Sequence, residues 1–268
     1  MNYENKRKNL KNIVKVRSKA RELDFVSKMI DGVSKIVTPY LAKKGMSANQ
    51  VTVLRFIIFI PLAIFFFIYG DYYTIIAGII CYSLFIIFDY VDGDLARLKK
   101  ETTQLGAWLE HMFDMVSEGL IILAISLGTY RITGINYTWM FGLIALYGVN
   151  MRILLYNELE SKYNLYHIFS GVYIKKISSL SGLDKLFAEI LMPYRQPFKT
   201  LFYSIYSIII FGLFNQLYLS LIMIALMNNI RWIVMSYTLF ELNNKNERKP
   251  QFIKIIEEMQ NVDLNDRH

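Results

Sequence analysis

The segment DYVDGDLARLKKETTQLGAWLEHMFD, Asp89 to Asp114, sets carboxylates directly against two apolar runs. An unpaired carboxylate is costly in an apolar setting, so acids kept at the end of a hydrophobic segment usually bind cations or move protons. Asp89 and Asp92 are three residues apart, and Glu110 and Asp114 are four apart, so on helices each pair shares a face. A short connection, expected to begin at Gly93, makes the two carrying helices antiparallel neighbours. The two pairs then lie at one depth and can converge. Four hard oxygen ligands across a narrow gap suit one or two Mg2+ or Mn2+ ions, which prefer carboxylates and keep water in their remaining positions.

The elements that must position these acids are membrane spans. Of 268 residues 54% are hydrophobic and 15% aromatic, and the mean hydropathy of +0.31 is that of a membrane protein. Six apolar spans are expected: Val51–Tyr69, Tyr73 to about Phe88, Leu105 to about Tyr130, Tyr137–Tyr156, a shorter Leu201–Phe214, and Leu217–Phe240. The only charge in the first is Arg55, near one end. The fold class is therefore all-α, a polytopic membrane bundle of about six transmembrane helices.

Residues 1 to 48 carry twelve Lys or Arg against four Asp or Glu, which accounts for the whole net charge of +8. This basic arm runs straight into apolar segments, so its expected partner is anionic lipid, not nucleic acid. The first 22 residues lack the apolar core and cleavage site of a signal peptide, so no removal is expected. Apolar residues Phe25, Val26, Met29, Ile30, Val33, Ile36 and Val37 recur at helical spacing before Pro39, which is expected to end or bend that helix. The pattern fits an amphipathic juxtamembrane helix on the lipid surface or the same helix packed on the bundle. The resulting organisation is a basic arm with a surface helix over 1–44, a six-span domain over 45–242 and a polar tail over 243–268 with a solvated helix around Phe252 to Gln260. Lys and Arg flank alternate span ends, which puts both termini and the acidic segment on the cytoplasmic face, of the plasma (inner) membrane in a prokaryote. The single cysteine, Cys81, excludes an intrachain disulfide and a cysteine-based zinc site.

Written out, the acidic segment is Asp89-x-x-Asp92-Gly93-x-x-Ala96-Arg97, eight residues, Gly106, three residues, Glu110, three residues, Asp114. It resembles the D-x-x-D-G-x-x-A-R-x8-G-x-x-x-D-x-x-x-D signature of the CDP-alcohol phosphatidyltransferases, matching seven of its eight fixed positions with both long spacings intact. Ala48 to Thr52, ANQVT, is similar to the PNQVT found before the first span of that family, with Ala48 in the place of proline. The resemblance covers about residues 45 to 240.

The resemblance implies a metal-dependent transferase of phospholipid biosynthesis that moves a phosphatidyl group from a CDP-linked lipid, such as CDP-diacylglycerol, to a small alcohol and releases CMP. It implies that Asp89, Asp92, Glu110 and Asp114 hold metal, two ions of Mg2+ or Mn2+, and that Asp114 is also the base for the acceptor hydroxyl. Gly93, Ala96 and Gly106 would let the nucleotide approach the backbone, and Arg97 would offer its fork of donors to the diphosphate or the cytosine. Asp94 occupies a variable position and is expected to be solvated. Glu110 is the departure that matters, since its extra methylene moves the carboxylate by roughly 1.5 Å in a site that demands ligand distances near 2.1 Å.

The acceptor is read from weaker signals. GAWLEH, Gly106 to His111, is similar to the GAWLDH of family members that handle polyol phosphates, and favours that class. Asn150 and Arg152 in the fourth span and Asn228, Asn229 and Arg231 in the sixth are expected to face the bundle interior, where Arg152 or Arg231 could grip an acceptor phosphate. His111, about 100° round the helix from Glu110, is expected to be structural. An amine-bearing acceptor such as serine, a catalytically silent member and a cation transporter are the competing readings; a homodimer is compatible with any of them.

Overall fold

The computed structural model describes residues 25–163, 179–191, 204–244 and 249–265. The basic arm up to residue 24 lies outside them, as do parts of the 157–199 segment. Among the described residues there are nine helices and no strand: α1 Phe25–Lys43, α2 Ala48–Tyr69, α3 Tyr72–Lys99, α4 Gln104–Thr133, α5 Tyr137–Tyr163, α6 Gly182–Leu191, α7 Ser204–Leu213, α8 Leu217–Asn243 and α9 Gln251–Asn265. Five of them, α2, α3, α4, α5 and α8, are long and apolar enough to cross a membrane. The protein is an integral membrane protein built as a polytopic helical bundle. The expected fifth span appears as α7, an apolar helix of ten described residues, with 201–203 outside the described chain.

Local chemistry sets the ends of these helices. Ser47 caps α2 through a reciprocal pair with Gln50, the Ser47 hydroxyl accepting from the Gln50 amide and the Gln50 side chain accepting from the Ser47 amide. Asp71 caps α3, and the Thr74 hydroxyl and amide donors hold its carboxyl below the usual carboxylate range. Thr103 caps α4. Pro39 neither ends nor interrupts α1, which runs on to Lys43 and closes with Gly45 at φ +81°, the Met46 amide bonding the Leu41 carbonyl and the Gly45 amide that of Ala42.

The largest core lies among α2, α3, α4, α5, α7 and α8, with Phe67, Ile79, Phe85, Ile121, Ile125, Val149, Ile208 and Leu221 buried in it. α2 packs mainly on α3 and α4. The α2–α4 crossing is close enough that a Cβ added to Gly128 would stand 1.9 Å from the Phe67 carbonyl oxygen, so only glycine fits there.

Two sequence expectations are corrected here. Gly93 lies inside α3, not at its end: the helix continues to Lys99, and the connection is the short stretch to Thr103. A helical glycine costs only about 1 kcal/mol, and the burial of Val91 and Leu95 against Val51 and Ala42 carries the helix past it. The tail helix is not solvated, because Phe252, Ile253 and Ile256 form one face that buries itself with Ala188 and Leu191 of α6 and Leu239 and Leu242 of α8. α1 packs on α3, and its buried side carries Asp31, Ser34 and Thr38 while Met29, Val33, Ile36 and Tyr40 face outward. α1 is thus packed on the bundle through polar residues and through Val37, Leu41 and Ala42, and leaves an apolar outer face.

Candidate active site

The α3–α4 hairpin is nearly symmetric about its connection: Asp89 lies ten residues before the end of α3 and Asp114 ten residues after the start of α4, each about 15 Å from the turn. Their common depth follows from that register. α2 packs against both helices, and its residues Thr52 and Arg55, three apart, face the acids. Arg55 Nη2 lies 2.9 Å from Asp89 Oδ1 and 3.0 Å from Asp114 Oδ1, and its Nε lies 3.1 Å from Asp92 Oδ2. The Thr52 hydroxyl donates to Asp92 Oδ2 at 2.8 Å. The Phe85 ring, one turn before Asp89, lies 4.4 Å from the guanidinium carbon. Glu110 stands near enough to add its repulsion to Asp92 and Asp114.

Three carboxylates, Asp89, Asp92 and Asp114, thus meet on one guanidinium, with Glu110 close enough to act on two of them. This set of carboxylate oxygens fits Mg2+ or Mn2+ in hardness. Asp89 Oδ1 and Asp114 Oδ1 share one nitrogen and so stand at most about 6 Å apart, against roughly 4 Å for two ligands of one Mg2+. Among the described residues no three acidic, histidine or cysteine side chains close on a single point.

Toward the α3–α4 turn, Arg97 Nη2 donates to Asp94 Oδ1 at 2.7 Å and the Ser34 hydroxyl of α1 donates to Asp94 Oδ2 at 2.7 Å. Asp94 is 0% exposed, contrary to the solvated position expected for it, because α1 lies over that side of α3. Arg97 itself is exposed. A Cβ on Gly93 would come within 3.1 Å of Arg97 Nη2, so the absent side chain makes room for that guanidinium. Gly106 faces Asn49 of α2, and a Cβ there would meet the Asn49 amide oxygen at 2.7 Å. Ala96 is half-buried on α3, and His111 is exposed on α4.

A second polar group lies one turn further along α4. Arg152 Nη2 donates to Glu118 Oε2 at 2.8 Å, and the Ser204 hydroxyl donates to Glu118 Oε1 at 2.6 Å. The buried Tyr82 is within electrostatic reach of Glu118, Arg152 and Asp114. Arg152 is thus already matched by a carboxylate. Asn228 and Arg231 are buried in α8, and the Asn229 amide reaches the Ile144 carbonyl of α5 at 3.0 Å. Asn150 does not face the interior: it is exposed, and its amide donates to the Leu146 carbonyl of its own helix.

Sequence reasoning passed over Arg55, Thr52, Glu118 and Ser34. Two of these left a signal. A single cation in an otherwise apolar span must find an acid, and Glu118 continues the four-residue ladder of Glu110 and Asp114.

Fold and site together define a helical membrane protein with an acidic cluster at the cytosine-nucleotide signature of one hairpin. The CDP-alcohol phosphatidyltransferase profile matches residues 46–241, and the chain belongs to that family. It is similar to the phosphatidylinositol phosphate synthase of Streptomyces avermitilis, 33% identical over 91 residues that make 33% of this chain and 36% of that protein. It is also similar to the archaetidylinositol phosphate synthase of Pyrococcus horikoshii, 32% identical over 88 residues, 33% of this chain and 45% of that one. The chain thus spans less than half the length of these relatives. In fold it is similar to the phosphatidylinositol phosphate synthase of Mycobacterium tuberculosis, solved with CDP-DAG bound (TM-score 0.57, 17% identity, 78% of this chain and 94% of that one). The same enzyme solved with manganese and citrate gives a TM-score of 0.53 at 15% identity over 77% and 88% of the two chains.

Proposed function

We propose that this protein transfers a phosphatidyl or related phospho-alcohol group from a CDP-linked lipid to the hydroxyl of a polyol phosphate, releasing CMP, with Mg2+ or Mn2+ and two ions in the site. The observation that carries the reading is the meeting of the Asp89, Asp92 and Asp114 carboxylates at one place on the α3–α4 hairpin. Asp89, Asp92, Glu110 and Asp114 hold the metal. When bound, the ions offset the charge of the donor's diphosphate and of the departing phosphate. Asp114 takes the proton of the acceptor hydroxyl, and its side chain, 47% exposed, is open to one. The acceptor oxygen bonds to the phosphorus distal to cytidine as the bond to the CMP oxygen breaks. Arg97 holds the diphosphate or the cytosine, and Gly93, Ala96 and Gly106 keep side-chain bulk away from the nucleotide. Arg152 and Arg231 are the candidates for the acceptor phosphate.

The names of the two inositol phosphate synthases support a polyol phosphate acceptor, and the CDP-DAG of the Mycobacterium tuberculosis enzyme supports a CDP-lipid donor. α9 packs on α6 and on the end of α8, which puts the tail helix and α6 at one end of the bundle, and the alternation of Lys and Arg at the span ends supports a cytoplasmic face there. One observation favours a second reading: the Glu118 carboxylate neutralises Arg152, which suits an acceptor without phosphate, such as serine. Release of CMP from CDP-diacylglycerol, measured with Mg2+ or Mn2+ and inositol phosphate, glycerol phosphate or serine, tests both. Absence of release with every acceptor refutes the enzymatic reading.

A further inference from the structure

The side chain of Arg55 is 0% exposed, while those of Asp89 and Asp114 are 27% and 47% exposed. The guanidinium therefore lies on the protein side of Asp89 and Asp114, beside the likewise buried Asp92. It contacts one oxygen of each of three aspartates from two helices, and its carbon lies 4.4 Å from the Phe85 ring. Arginine suits this place because its fork is rigid and its charge is permanent, so it orients several carboxylates at once without losing its proton.

We propose that Arg55 is a positioning residue for the divalent-cation site: its buried guanidinium pairs with one oxygen each of Asp89, Asp92 and Asp114 and so presets the three carboxylates for metal. The inference rests on the reading of those aspartates as metal ligands. Its added charge repels a divalent ion, but the orientation it imposes is worth more. Partners that orient metal ligands typically contribute about 10–100-fold in affinity. Thr52 assists at Asp92, whose Oδ2 accepts from the Thr52 hydroxyl and lies 3.1 Å from Arg55 Nε.

The test is Mn2+ binding by the full-length protein in lipid nanodiscs, without nucleotide, read as loss of the free-Mn2+ paramagnetic resonance signal. Arg55→Met should weaken binding by about 10–100-fold. Arg55→Lys, which keeps the charge but loses the fork and so covers the same risk of misfolding, should weaken it by an intermediate factor. Circular dichroism and size-exclusion profiles matching the unaltered protein establish that a variant is folded. Unchanged or tighter Mn2+ binding in either folded variant overturns the proposal, tighter binding showing that Arg55 competes with the metal. If the unaltered protein takes up no Mn2+, the metal reading itself fails and the proposal falls with it.

Discussion

Replacing Ser34 by alanine removes one hydroxyl from the seam between α1 and α3. That hydroxyl donates 2.7 Å to Asp94 Oδ2, and both residues are fully buried, so water does not replace it. The carboxylate keeps the Arg97 guanidinium on its other oxygen. A hydrogen bond to a charged group contributes roughly 1.5–3 kcal/mol, and removing one partner in a buried site gives the upper part of that range. The loss falls on the docking of α1, which is held also by the apolar contact of Val37, Leu41 and Ala42 with Val91 and Leu95 and by the Lys99 ammonium on the Met46 carbonyl. Since about 1.4 kcal/mol is tenfold in an equilibrium, the local opening of α1 should become roughly 40- to 140-fold more frequent. Hydrogen exchange of the amides from Asp31 to Ala42, measured in nanodiscs, reads that opening directly. Arg97 loses part of its fixed position at the same time, so the KM for the CDP-linked donor should rise several-fold with kcat little altered. Exchange rates in α1 that match those of the unaltered protein would refute the reasoning and show that these other contacts seat the helix.

Asp89→Asn or Asp92→Asn should abolish CMP release while leaving insertion intact, because each removes a charged ligand from the cluster; turnover retained at saturating metal would contradict the two-ion assignment. Glu110→Gln should lose activity and Glu110→Asp should keep part of it with an altered preference between Mg2+ and Mn2+, as compared in parallel metal titrations. An unimpaired Glu110→Gln would show that this position is no metal ligand. Gly128→Ala forces a methyl group onto the Phe67 carbonyl and should destabilise the bundle by about 3 kcal/mol or more, seen as a lower midpoint of thermal unfolding in detergent.

Apolar length is a property of contiguous sequence, and the lipid environment makes it decisive, so α2, α3, α4, α5 and α8 were legible from the residues alone. The meeting of Asp89 with Asp114 was legible for a similar reason: two helices on one short turn are antiparallel, and equal distances from that turn mean equal depth. The helix through Gly93 was not, since the burial of Val91 and Leu95 that overrides the glycine comes from α1 and α2. Nor was the fate of the charges. Asp94 is buried because Ser34, 60 residues away, is brought over it, and Arg55 meets Asp114 across 59 residues. A span's composition shows that its lone arginine needs an acid, but which acid it meets depends on how α2 packs against α3 and α4. The tail helix follows the same rule, its apolar face finding cover only because α6 and α8 come together beside it. Local pattern thus determined which segments cross the membrane and which acids share a face; the packing of distant helices decided which of those acids are held, by what, and from which side.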